Sequence, residues 1–249
     1  KPWCAGIQAS NGTGLPATDW LEDMMLRTAG PDVYDQWVSH QIPFNDPRVV
    51  TALDQAGNIL KNDAYVNGGL GNAKSIATTS FTTAGLPILD GSCFLHRQAS
   101  FYQVNWPTDK KIAEDGDVFA FRLPGTTETD PPLLMGGEFA AAFSDREEVR
   151  AFQAYLTSPE FSNAKAKVTG PGWISANNKL DPSILSSPVD RLSYELITSD
   201  NSVLRFDASD QMPGSVGTGS FWVGMTDWVS LEKSSQDVLT EIENSWPKS

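Results

Sequence analysis

The chain has 249 residues, with 18 Lys and Arg against 31 Asp and Glu, a formal charge of −13 and only two His. That acidic balance excludes a phosphate-tracking nucleic-acid surface and an electrostatic membrane-binding face, both of which need clustered Lys and Arg. The length predicts one or two domains, and 40% hydrophobic residues suffice for a buried core. No apolar run approaches the roughly 20 residues that cross a bilayer. Residues 1–20 lack the basic start and apolar block of a secretory signal, so the chain reads as a mature form or a fragment.

In chain order, residues 2–8 read as a strand, followed by a turn-rich NGTGLP stretch. Thr18 or Asp19 is the predicted cap of a helix in which Trp20, Leu21, Met24 and Met25 recur at helical spacing, ending at Ala29-Gly30-Pro31. A shorter helix covers 32–38. Asn45-Asp46-Pro47 then opens another through Val49, Val50, Leu53 and Leu60. Residues 66–73 are predicted loop. A strand is expected over 93–96 and a helix start in the ASFYQVNW stretch. DVFAFRLP (117–124) alternates like a half-buried strand. A Pro/Thr/acid-rich loop (124–132) leads to 133–143, an apolar strand that bends at Gly136-Gly137. Ser144 or Asp145 caps a helix with Val149, Phe152, Tyr155 and Leu156 on one face. The GPGWIS loop follows, with helices at 188–198, 214–230 and 236–246. Strands alternating with helices predict an α/β fold.

The chemistry-bearing motifs are few. GxSxG, GxxxxGKS/T and HExxH are absent, and the glycine pieces at 68–71 and 136–137 lack the strand-to-helix setting of a dinucleotide site, so no cofactor is expected. His40 and His96 are too few for a His-based metal site, and Cys4 and Cys93 are too far apart for a CxxC pattern; no metal is expected. Each Cys lies in a short apolar run. A bridge between neighbouring strands or two buried thiols both fit. His96, at a strand end, is a candidate cleft residue. Glu138, Asp207 and Asp210 could make the carboxylate pair of a glycosidase; the plainer reading has Asp207 and Asp210 cap the next element or accept hydrogen bonds from sugar hydroxyls. Trp37 and Trp228 fit core packing. Phe101, Trp106 and Trp222 follow polar or small-residue stretches, the mixture of ring faces and hydrogen-bonding groups that carbohydrate recognition requires.

DQMPGSVGTGSFW (210–222) resembles the late ligand-contacting segment of maltose-binding-protein-like receptors, the solute-binding proteins of ABC sugar importers. PATDWLEDMMLRTAGPDVYDQW (16–37), GSCFLHRQASF (91–101), PWCAGI and GGEFAAAF are similar to the alpha-glucoside branch of that class, in order along nearly the whole chain.

The resemblance implies a periplasmic-binding-protein type II-like C-terminal lobe plus a helical segment of the other lobe. Residues 1–138 and 187–249 would build the C-terminal lobe, and 139–186 would return to a first half lobe that is missing from the front. The helix bearing Phe152 and Tyr155 would then expose its apolar face, and 139–186 would be poorly ordered, packed on the C-terminal lobe, or buried in a dimer or swapped contact. By the same resemblance Trp222 stacks on a sugar ring, Met212 lines the cleft, and Phe101 is the aromatic after the strand-to-helix turn. Asp19 and Trp20 lie in an early contact segment whose first contact aromatic is Ala17 here. Arg97, Gln98, Glu138 and Asp207 join the set by position and chemistry. Cys4 and Cys93 fall on adjacent strands as a disulfide. The implied function is capture of a neutral disaccharide or oligosaccharide outside the cytoplasm, with no chemical step, and delivery to a membrane permease. A glycoside hydrolase and a non-catalytic interaction module are the alternatives.

Overall fold

The structure, a computed structural model, describes residues 1–69, 71–125 and 132–248. Most of the predicted 124–132 loop, and Leu70 of the 66–73 loop, lie outside the described residues. The chain forms two compact units. The first joins 1–98, 123–135 and 203–249; the second joins 99–122 and 136–202.

In the first unit, β1 (Trp3–Cys4) is flanked by two parallel neighbours, β2 (Val66–Asn67) and β3 (Leu95–His96), with Cys4 opposite both Asn67 and His96. Cys4 and Cys93 form the disulfide, with a Cα–Cα distance of 5.6 Å. Between these strands run α1 (Leu15–Thr28), α2 (Pro31–Val38) and α3 (Pro47–Leu60), then the short α4 (Phe81–Ala84). A second parallel pair comprises β4 (Leu133–Met135) and β5 (Leu204–Phe206), the latter in the first unit although 136–202 are not. The unit closes with α8 (Ala208–Gln211), α9 (Trp222–Ser230) and α10 (Ser235–Asn244). The second unit contains α5 (Glu147–Leu156), α6 (Pro159–Val168) and α7 (Pro188–Thr198).

The core of the first unit follows from helical spacing. Ala17, Leu21 and Met25 on α1 and Val49, Leu53 and Leu60 on α3 are fully buried, and α1 lies against both α3 and α9. Trp37, Phe44 and Phe221 interlock with ring centroids 5.0–5.9 Å apart, edge-on and tilted arrangements that aromatic quadrupoles favour. Trp37 and Trp228 are core residues, as their spacing predicts.

Local signals set several ends correctly. Asp46 accepts a hydrogen bond from the Arg48 backbone N–H at 3.0 Å, and Pro47 occupies the first turn of α3. Helix α1, however, begins four residues before Asp19, with Gly14 as its N-cap. Thr18 instead turns its hydroxyl back to the Leu15 carbonyl, 2.9 Å away. Gly14 has φ +104°, and a Cβ there would meet the Trp222 carbonyl oxygen at 2.0 Å. We expect Gly14→Ala to destabilise the fold by about 3 kcal/mol through backbone strain and overpacking, read by chemical denaturation.

Three strand expectations are corrected. Residues 117–124 contribute only an isolated Ile112–Val118 bridge; Phe119 and Phe121 alternate as predicted but stack on each other while more than half exposed. The 133–143 strand stops at Met135, and 136–143 run exposed without regular structure. Residues 66–67, predicted as loop, pair with β1. Near 144, the N-cap of α5 is Arg146, without a side-chain cap, and Asp145 pairs with Arg150 instead.

The second unit has a smaller core of Ala166, Leu180, Leu185 and Tyr194. Asp190, 3% exposed, accepts hydrogen bonds from Gln103 Nε2 (2.7 Å) and the Gly172 backbone N–H (3.2 Å). On α5, Phe152 and Tyr155 are 60% and 41% exposed.

Candidate functional site

The densest polar arrangement lies in the first unit, where α1 presents a second face beside its apolar one. Asp19, Glu22 and Asp23 fall at positions i, i+3 and i+4, which align on one side of a helix. Arg97, just after β3, reaches this face. Its Nη1 donates to Asp19 Oδ2 at 2.8 Å, its Nε donates to Asp23 Oδ2 at 2.7 Å, and its Nη2 also donates to Asp23. Arg27, one turn beyond Asp23, donates to Asp23 Oδ1 at 2.6 Å and to the carbonyls of Leu123 and Pro124.

From the opposite side come the residues after β5. Asp207 caps α8 by accepting from the Asp210 backbone N–H (3.1 Å) and also accepts from Ser209 Oγ (2.7 Å), so the capping alternative holds for Asp207. The Ser209 backbone N–H donates to Glu22 Oε1 at 3.3 Å, and Trp222 Nε1 donates to Ser209 Oγ at 3.4 Å. Trp222 is partly exposed at the start of α9, with Gly12 against its ring; a Cβ at Gly12 would lie 3.9 Å from it.

Burial dominates the electrostatics here. It pushes the Asp19 carboxyl up to about 6, against the pull of the Arg97 guanidinium and with Asp207 adding to the rise. It also raises Asp207, and raises Glu22 well above the usual carboxylate range, with Asp207 and Asp19 reinforcing the latter. For Arg97, burial acts downward, but Asp23 and Asp19 outweigh it and keep the guanidinium charged.

Of the residues selected from sequence, the structure brings Asp19, Arg97, Asp207 and Trp222 into one connected network. Trp20 and Met212 are not on its open side. Trp20 is 4% exposed and packs edge-on against Trp3 at 5.2 Å, and Met212 is 6% exposed in the core. Gln98 ends the first unit, half-buried. Phe101, 42% exposed, and exposed Glu138 belong to the second unit. His96 turns Nδ1–H to the Cys4 carbonyl at 3.0 Å, a structural contact within the sheet.

Sequence reasoning missed Glu22, Asp23, Arg27 and Ser209. The signal was present: an acidic i, i+3, i+4 triplet with Arg four residues after its last member, on a helix whose other face is apolar. Such charges are usually solvated, which is why they draw no notice in a sequence.

Short parallel strands joined through helices make a mixed α/β fold. No family model matches the chain. It is 42% identical over 250 residues to the osmoprotective compounds-binding protein GgtB of Synechocystis sp. and 36% identical over 255 residues to the alpha-glucosides-binding periplasmic protein AglE of Rhizobium meliloti. Each comparison covers 99% of this chain, which spans 57% and 53% of those relatives. The chain is thus similar in sequence to two binding proteins over slightly more than half of their length. A chitin oligosaccharide binding protein shares the fold with TM-score 0.67 at 14% identity, over 98% of this chain and 58% of its own. A second structure, from a study of xylan utilization by Caldanaerobius polysaccharolyticus, has TM-score 0.66 at 13% identity, over 98% of this chain and 60% of its own. The comparisons give no support to a dimer or swapped contact through 139–186. Among the described residues no helix is long and apolar enough to cross a membrane.

Proposed function

We propose that this chain contributes to capture of a neutral α-glucoside or small osmoprotective glycoside, as part of the extracytoplasmic binding component of an ABC importer, with no chemical step. The observation that carries this reading is the Trp222 ring beside the Asp19–Arg97–Asp207 network. An aromatic face accepts the C–H surface of a sugar, and planar polar groups at its edge accept and donate to hydroxyls. Arg97 is already engaged by two carboxylates. The network therefore offers fixed hydrogen-bonding groups rather than cationic charge, which favours a neutral ligand. The names of the two relatives support the substrate class, and the disulfide suits an oxidising compartment. Gln98 is assigned to a further contact, the 1–138 and 187–249 segments to a C-terminal lobe, and 139–186 to the other.

A site of this kind gains affinity when a second wall desolvates the ligand, so the face on the first unit alone is expected to bind weakly. Trp222→Ala is expected to reduce α-glucoside affinity about ten- to hundredfold, the effect of losing a buried aromatic contact. Ligand titration followed by amide chemical shifts measures this. Unchanged affinity would remove Trp222 from the site.

A further inference from the structure

We infer that Asp19, Glu22 and Asp207 form a binding site for a divalent cation of the calcium type, seated beneath the polar surface assigned to sugar contact. One carboxylate oxygen from each residue lies within 4.8 Å of the others. Two oxygens that each stand about 2.3–2.6 Å from a common ion can be as much as about 5 Å apart, so these separations are compatible with one shared Ca²⁺.

Glu22 points independently to a missing partner. Its side chain is fully buried, Oε1 takes the Ser209 backbone N–H, and Oε2 has no hydrogen-bond partner. A buried carboxylate oxygen left bare costs free energy comparable to a lost charged hydrogen bond, and an ion at the centre of the triangle would satisfy it.

Asp19 gives one oxygen to Arg97, and Asp207 gives one to Ser209 and Asp210, leaving each a second oxygen for the ion. An all-oxygen set with no imidazole or thiolate selects a hard cation over zinc or copper, and three protein carboxylates suit Ca²⁺ better than Mg²⁺, which keeps several waters and takes one or two carboxylates. The sequence expectation of no metal considered only His and Cys patterns, to which a carboxylate-only site is invisible.

The inference is independent of the sugar reading and is tested without sugar. Calorimetric titration of CaCl₂ into chelator-treated protein at neutral pH is expected to show one site with a Kd of about 10⁻⁵–10⁻³ M, and Ca²⁺ is expected to raise the melting temperature. Glu22→Gln is expected to weaken binding at least about tenfold, while its melting temperature in EDTA stays close to that of the wild type, because the amide keeps the size of the carboxyl and its acceptor for the Ser209 backbone N–H. Absence of both binding heat and a melting shift up to about 10 mM Ca²⁺ overturns the inference. So does wild-type-like Ca²⁺ binding by the folded Glu22→Gln variant, which would place the ion elsewhere.

Discussion

Replacing Arg97 with Met is expected to destabilise the first unit by about 3–5 kcal/mol. The guanidinium is 11% exposed and holds Asp19 and Asp23, themselves 15% and 8% exposed, in one fork. Forming that network had to repay the desolvation of three charges, and so its net worth over a well-packed apolar replacement is small. Removing only the arginine is different, because two carboxylates are left in a low-dielectric setting with Arg27 alone nearby. Denaturant unfolding followed by tryptophan fluorescence reads the loss. An Arg97→Met, Asp19→Asn, Asp23→Asn triple variant should recover much of it, since the stranded charges go with their partner. A near-neutral Arg97→Met result would show that the carboxylates are solvated or rearrange freely, and that the site is not held rigid by this pair.

Loss of the Cys4–Cys93 bridge is the second large effect. The bonded residues are separated by 89 positions and are 1% and 0% exposed. Closing a loop of that length restricts the unfolded chain by about 4–5 kcal/mol on the chain-entropy account, and removal of native bridges costs about 2–5 kcal/mol in practice. A Cys4→Ser, Cys93→Ser variant is expected to lose stability in that range, with β1 and β3 the first elements to separate. Burial also predicts that mild reductant leaves the folded protein oxidised. A thiol assay under denaturing, non-reducing conditions should find none, then two after reduction; finding two at the outset rejects the bridge.

Much of the helical framework is legible in the sequence because its signals are local. The Asp46-Pro47 cap, the Gly30-Pro31 break and the apolar spacing of α1 and α3 each depend on residues within a turn or two. The strands are legible only in part: the expected strands at 2–8, 93–96 and 133–143 contain β1, β3 and β4 but overrun them, and β2 and β5 give no sign, because β1, β2 and β3 have two residues each and β4 and β5 three. A period of two cannot show itself over such lengths, and β5 carries no signal beyond Leu-Arg-Phe. Conversely, 117–124 shows a clean alternation without a partner strand, so Phe119 and Phe121 pair with each other instead.

The site divides the same way. Trp222 and Asp19 stand out by resemblance, and Arg97 and Asp207 by position and chemistry. What places them together is the return of the chain at β5 after a segment of another unit, a long-range event no local pattern encodes. Glu22 and Asp23 are hidden by a reasonable prior, that acids on a helix face water. Trp20 is the opposite case: an aromatic beside a contact residue, yet buried in the hydrophobic core and packed against Trp3.

The central claim is that the face bearing Asp19, Arg97, Asp207 and Trp222 meets the sugar. Its most direct test is a ¹⁵N amide and indole spectrum recorded during titration with an α-glucoside disaccharide to high millimolar concentration. We predict saturable shifts confined to the Trp222 indole N–H, the Arg97 side chain and the backbone around 207–210, all absent with an inert polyol. Shifts clustered elsewhere, or none at saturation of the solubility limit, would contradict the account.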